Sequence, residues 1–255
     1  MEGGVNVVNY ILKKNPEAVN CTDSSGHSPL HYAAYKGTLD VVKYLVEKDA
    51  YINQQDLEGP TPLQLAAEEG NLKIVEYLVD SANANSDIKV QNMTLPEWAA
   101  QNGTVGVIKI ILQRNPSGYN DVDKFGQTLL HRSARNGNLK VLEFLVGDRS
   151  RELSKTNKCG WTPLHDAVWH GKLEVVKYLV DKYPEATDSR DSNGQIPLHH
   201  AVAVSNDQET KLLRLEVVKA LVERNEALLR SHDVDGLRPL HEASARGSYE
   251  VVEYL

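Results

Sequence analysis

Apolar positions along the chain fall into two alternating patterns. In the first, a polar Asp-x-x-Gly turn leads into a hydroxyl residue, a proline and a short segment of small residues. Asp23-Ser24-Ser25-Gly26-His27-Ser28-Pro29-Leu30-His31-Tyr32-Ala33-Ala34 is the clearest case, and it closes at Gly37. In the second, branched apolar residues stand at helical spacing, as Leu39, Val41, Val42, Leu45 and Val46 do. The first pattern predicts a turn and a short helix. Gly26 supplies a positive φ, Ser28 caps the helix, Pro29 takes the first helical position, where its missing N–H costs nothing, and Gly37 ends it. The second pattern predicts a longer amphipathic helix. Neither helix can bury its apolar face alone, but stacked copies can.

The pair recurs along the whole chain. Asp56 to Gly70 repeats it with Thr61-Pro62-Leu63-Gln64, and a weaker copy reads Thr94-Leu95-Pro96-Glu97-Trp98-Ala99-Ala100. Further copies carry Thr128-Leu129-Leu130-His131, Thr162-Pro163-Leu164-His165, Ile196-Pro197-Leu198-His199 and Arg238-Pro239-Leu240-His241. The spacing is 33 or 34 residues, with one longer unit. The expectation is a single array over 1–255: a partial unit at 1–22, repeats at 23–55, 56–88, 89–122, 123–156, 157–190 and 191–232, and an incomplete one at 233–255. Residues 3–12 match 37–46, so the chain begins inside a repeat, and it stops inside a second helix with Val251, Val252 and Leu255 facing nothing. That pattern is expected of an excerpt from a longer array.

These residues resemble the ankyrin repeat, with its Thr-Pro-Leu-His-x-Ala-Ala motif, and the match covers essentially the whole chain. The resemblance implies an all-α ankyrin-repeat solenoid of stacked helix-turn-helix units with β-hairpin tips. Tips and short first helices would line a concave groove, and the longer second helices would form the back. It also implies that the motif histidine is structural, its ring tying the motif Thr or Ser to a neighbouring turn. Function would then be non-catalytic recognition of a protein or peptide. The alternative is a targeting region of a larger protein, such as a ligase, kinase, channel or secreted effector.

The pattern breaks in places. In the third unit the proline moves one place into the helix, and Asn92 replaces the turn glycine; Asn still tolerates a left-handed conformation. Asn15-Pro16, Asn115-Pro116 and Tyr183-Pro184 read as helix stops followed by variant loops. The sixth unit carries an insertion at 205–214. Asn206 with Glu209 resembles a helix start, and the expected result is a second helix longer by about two turns. The insertion is either a tolerated loop or a docking element.

Composition narrows the function. A net charge of −7 from 28 basic and 35 acidic residues argues against a nucleic-acid binder. No apolar run is long enough to insert in a membrane. Two cysteines, Cys21 and Cys159, make neither a disulfide framework nor a zinc site and suit a cytoplasmic, reducing compartment. The five motif histidines lie a repeat apart, on the order of 10 Å, which is too far to share one metal. No phosphate loop or nucleophile elbow is present, so no cofactor and no catalysis are expected. Cys159, at a tip, could be a reactive thiol or an inert one.

Function is therefore expected at exposed tip and first-helix positions. The fourth and fifth units stand out. They place Phe125, Trp161 and Trp169 beside Lys124, Arg135, Lys158 and His170, a mixture typical of binding hot spots. A partner segment with an acidic residue flanking an apolar anchor would suit them. Trp161 has an equally good reading as stacking filler between tips, and Trp98 reads as core. A monomer is expected.

Overall fold

The computed structural model describes the backbone of residues 2–147, 149–203 and 208–255, and, of these, all side chains except those of 2, 3, 150 and 208–212. Fifteen α-helices lie among the described residues. After α1 (Glu2–Lys14) they come in pairs, a short first helix and a second one: α2 (Pro29–Tyr35) with α3 (Leu39–Glu47), α4 (Pro62–Glu68) with α5 (Leu72–Asp80), α6 (Leu95–Asn102) with α7 (Val105–Arg114) and α8 (Leu129–Asn136) with α9 (Leu139–Val146). The rest are α10 (Pro163–Trp169) with α11 (Leu173–Lys182), α12 (Pro197–Ala203) with α13 (Gln208–Arg224) and α14 (Pro239–Ala245) with α15 (Tyr249–Tyr254). Packing divides them into two compact units, residues 1–99 with 104–118, and 100–103 with 119–255. Each unit is an all-α stack of repeats.

Within each unit the core is the buried stripe of the second helices against the small residues of the first. The stripe follows one spacing throughout: Ile74, Val75, Leu78 and Val79 in α5; Val141, Leu142, Leu145 and Val146 in α9; Val175, Val176, Leu179 and Val180 in α11. Ala66 and Ala67, or Ala167 and Val168, are fully buried opposite them, where small volume lets neighbouring helices approach.

The first helices are held by one reciprocal bond set. The backbone N–H of Thr128 and its hydroxyl both meet Nδ1 of His131, at 3.2 and 2.8 Å, and Ser28 with His31 and Thr162 with His165 repeat the arrangement. The other ring nitrogen reaches the next tip: Nε2 of His131 lies 2.9 Å from the Trp161 carbonyl, that of His165 3.3 Å from Gln195 and that of His199 3.0 Å from Leu237. A neutral ring with its proton on Nε2 satisfies both sides. Gln64 reproduces the set without a titrating group: its Oε1 accepts from Thr61 N–H at 2.8 Å, and its Nε2 donates to the Ile88 carbonyl at 2.9 Å. In the third repeat Glu97 caps Thr94 N–H at 2.8 Å.

The tips are turns, not strands. Asp123 Oδ1 accepts from the N–H groups of Phe125 and Gln127 at 2.8 and 2.9 Å. Two backbone bonds close the tip, Asp123 N–H to the Gln127 carbonyl and Gly126 N–H to the Asp123 carbonyl, and one bond joins neighbours, as Lys158 N–H to the Phe125 carbonyl does at 3.0 Å. This corrects the β-hairpin expectation: among the described residues only an isolated bridge, Val90 with Met93, is present. Each tip is closed within five residues, as between Asp123 and Gln127, which leaves no arms to pair as a ladder. In the third repeat Gln91 and Asn92 take positive φ, 51° and 64°, in place of a glycine. The segments beginning at Pro16, Pro116 and Pro184 are single 3₁₀ turns rather than loops. The sixth repeat's second helix has 17 residues against 10 in the fifth, matching the expected lengthening. Residues 204–207, Asn206 among them, lie outside the described residues, as does the Glu209 side chain.

One further tie was not legible in the pattern. Asn71 Nδ2 donates to the carbonyls of Ala34 and Tyr35 at 2.9 and 3.0 Å, and Asn138 does the same for Ala100 and Gln101 at 3.0 and 2.6 Å. Each satisfies the open carboxyl end of the preceding first helix.

Burial lowers the pKa of His31, His131, His165 and His199, with His165 brought from 6.5 to about 4. As pH falls the unfolded chain protonates these rings first. Their stabilisation is therefore complete above about 6.5 and is lost as pH falls toward the folded values. Measured as the difference from His165→Gln, in which the opposite titration of buried Asp166 cancels, the wild-type Tm is expected to be flat above pH 7 and to fall between pH 6.5 and 4. His165→Gln should keep most of the neutral-pH stability and make the fall shallower, whereas His165→Ala should cost about 2–3 kcal/mol at pH 7. Equal loss in both variants would refute the bridging role. The tips offer a second check. A Cβ at Gly160 would stand 2.5 Å from Ser192 N, while one at Gly236 meets nothing within 4 Å, and both residues have φ +79°. Gly236→Ala should cost about 1 kcal/mol and Gly160→Ala at least about 2 kcal/mol, measured by urea denaturation.

Candidate protein-binding site

In the second unit the tips at 123–127 and 157–161 and the helices α8 and α10 frame an open cleft of about 490 Å³. Six of the seven residues singled out from the sequence line it: Phe125, Arg135, Lys158, Trp161, Trp169 and His170. Lys124 stands beside it, with its ammonium 5.0 Å from the centre of the Phe125 ring, within cation–π range. Phe125 is 58% exposed and Trp169 37%, at positions where a solvated face would be polar.

Local structure places each ring. The Trp161 carbonyl accepts from His131, and its N–H donates to Asn157 Oδ1 at 3.1 Å, so the backbone is pinned and the side chain turns over the cleft. That side chain is half-buried. It packs tilted against Trp169 at 5.6 Å and against His200 at 4.8 Å, and stacks with His165 at 6.4 Å. Trp161 thus packs as filler within the stack, and its ring also lines the cleft. Trp169, the last residue of α10 and two places before Gly171, is exposed at the rim. His170 Nδ1 lies 2.9 Å from the Asp166 carbonyl, and burial lowers its pKa, so the ring is neutral at pH 7.

Three members of the site were missed. His200 is buried and pairs with Asp191 at 2.9 Å. Arg214, from α13, reaches the Trp169 carbonyl at 3.3 Å. Asp166 is 1% exposed and lines the cleft, and burial raises its pKa to about 7. The first follows a regularity that only the structure reveals: in two other repeats, too, the residue nine places after the tip aspartate donates to it. Cys159 is exposed and lines the same cleft.

The first unit has a smaller cleft of about 320 Å³, with acidic walls formed by Asp56, Glu58 and Glu68. Trp98 lines it, half-buried, rather than sitting in the core. Its position matches exposed Tyr32 in the first repeat, which explains why it faces outward. Among the described residues no group of three His, Cys, Asp or Glu side chains could hold a metal, and no helix is long and apolar enough to cross a membrane.

Comparison with known proteins agrees with the repeat geometry. A family model of ankyrin repeats, in three-copy form, matches residues 1–92, 97–190 and 183–255. A homologue of transient receptor potential cation channel subfamily A member 1 from Caenorhabditis elegans is 48% identical over 52 residues, 20% of this chain and 4% of that protein. Human ankyrin repeat and SAM domain-containing protein 1A is 54% identical over 35 residues, 14% of this chain and 3% of that protein. The chain thus spans a small fraction of the length of these relatives. Matched from end to end in phase, with the motif caps and stacked tips in place, the chain belongs to the ankyrin-repeat family.

Proposed function

We propose that this chain is a non-catalytic recognition module that binds a segment of a partner protein across the tips and first helices of its fourth and fifth repeats. The observation that carries this is the exposure of Phe125 and Trp169 on one cleft whose rim is basic. Burying two aromatic edges supplies the affinity, on the order of 25 cal/mol per Å² of apolar surface removed from water. Lys124, Arg135 and Lys158 give the register, by pairing with acidic residues that flank the partner's apolar anchor. Trp161 is held by three aromatic neighbours and by its backbone bonds, so the wall does not collapse inward.

A second reading places the same module within a larger protein as its targeting region. It is favoured by the two relatives, in both of which the matched stretch is a few per cent of the length. Sequencing the parent transcript on either side tests it.

The groove reading is tested by comparing the wild-type chain with a Phe125→Ala/Trp169→Ala double variant of unchanged helical content as baits. A prey protein is expected to be held by the wild type and to bind the variant at least about 30-fold more weakly, as loss of a hot spot of about 2 kcal/mol requires. Equal binding of that prey by both baits would reduce the cleft to scaffold.

A further inference from the structure

Asp166 is unusual in a way the repeat itself reveals. In three repeats the residue nine places after the tip aspartate donates to that aspartate. Tyr32 Oη reaches Asp23 Oδ2 at 2.8 Å, Arg132 Nη2 reaches Asp123 Oδ2 at 2.9 Å, and His200 Nε2 reaches Asp191 Oδ2 at 2.9 Å. The fifth repeat departs at both places. Its tip residue is Asn157, and nine places on stands Asp166. The carboxyl is buried in the floor of the cleft, and its Oδ2 meets no hydrogen-bond partner. Leaving a buried polar group unmatched costs about 1–3 kcal/mol, so the position is poor as scaffold.

The groups that face Asp166 define what could match it. Arg135 comes from α8, and Asp123, already paired with Arg132, comes from the preceding tip. Lys158 stands on the repeat's own tip, and neutral His170 just past the end of its own helix. The following repeat contributes His200, which is engaged by Asp191. Burial raises the Asp166 pKa to about 7; Arg135 opposes the rise and Asp123 adds to it. The cleft therefore offers two exposed cations and a carboxyl that gains and loses its proton around neutral pH. A cationic ligand would meet Arg135 and Lys158. An anionic one would gain both of them and an O–H donor as well.

This inference rests on the groove reading above and names what the groove recognises. We propose that the cleft takes the carboxylate side chain of an Asp or Glu in the partner segment, bound by Arg135 and Lys158 and accepting a hydrogen bond from the protonated Asp166 carboxyl. The apolar residue next to it lies against Phe125 and Trp169. Binding is then linked to a proton on the protein, and affinity falls as pH rises.

The test uses two probes, N-acetyl-Phe-Glu-amide and N-acetyl-Phe-Gln-amide. Each is titrated into the whole chain at pH 6 and pH 8 and followed by the indole N–H resonances of the tryptophans. The Glu probe is expected to bind about tenfold more weakly at pH 8, because the protonated fraction of a group with a midpoint of about 7 falls by that factor. The Gln probe should bind alike at both. Asp166→Asn keeps a donor but cannot titrate, so it should bind the Glu probe with equal affinity at both pH values, whereas Asp166→Ala should weaken binding at pH 6. Equal affinity of the wild type for both probes, a pH-independent Glu probe, or tighter binding at pH 8 would overturn the proton-linked carboxylate site and leave cleft binding standing. Silence from both probes would overturn it too, and the groove reading would still be decided by the Phe125/Trp169 double variant.

Discussion

The structure depends on a buried side chain three residues into the first helix that, in five of the repeats (His31, Gln64, His131, His165 and His199), bonds in two directions. Toward its own repeat it accepts from the capping residue; toward the next it donates to a tip carbonyl. Each bond is worth only about 1 kcal/mol net, yet the side chain has no access to water, so breaking either bond leaves buried groups unmatched. This makes the spacing between repeats a hydrogen-bonding constraint as much as a packing one. The second repeat shows which chemistry is required: Gln64 meets both partners with an amide, so the demand is for an acceptor and a donor at opposite ends of a planar group, not for an imidazole.

That constraint fixes the backbone of the tips and leaves their side chains free. The same bond that orients the Trp161 carbonyl turns its ring over the cleft, and the tip hydrogen bond between Phe125 and Lys158 sets those two side chains next to each other. Structural regularity therefore creates the recognition surface: a rigid backbone with variable residues at fixed intervals. Rigidity matters for binding because little side-chain ordering remains to be done when a partner arrives.

Asp166 illustrates how a departure from the repeat stands out only against its regularity. A buried acid is destabilising unless it is paired. In three other repeats the equivalent position supplies a donor to the tip aspartate. In the fifth repeat the tip carries Asn157, whose Oδ1 already accepts two backbone N–H groups, and Asp166 is left to face the cleft.

The helices, the caps, the period and the apolar stripe were all legible in the sequence, because each depends on residues within one repeat: Thr before Pro, Gly after the first helix, branched residues at four-residue spacing. The aromatic and basic residues of the cleft were legible too, as departures from the polar character of tip positions. Tertiary structure decided the rest. The tips became single turns rather than hairpins because each closes within five residues and leaves no arms to pair, and Trp98 faced a cleft because its helix position points outward. The cross-repeat bonds of Asn71 and Asn138, the His200–Asp191 pair and the isolation of Asp166 all join residues on different elements. Whether a polar side chain finds a partner depends on what the neighbouring repeat brings within about 3 Å, and that distance is set by packing between elements, which local sequence does not encode.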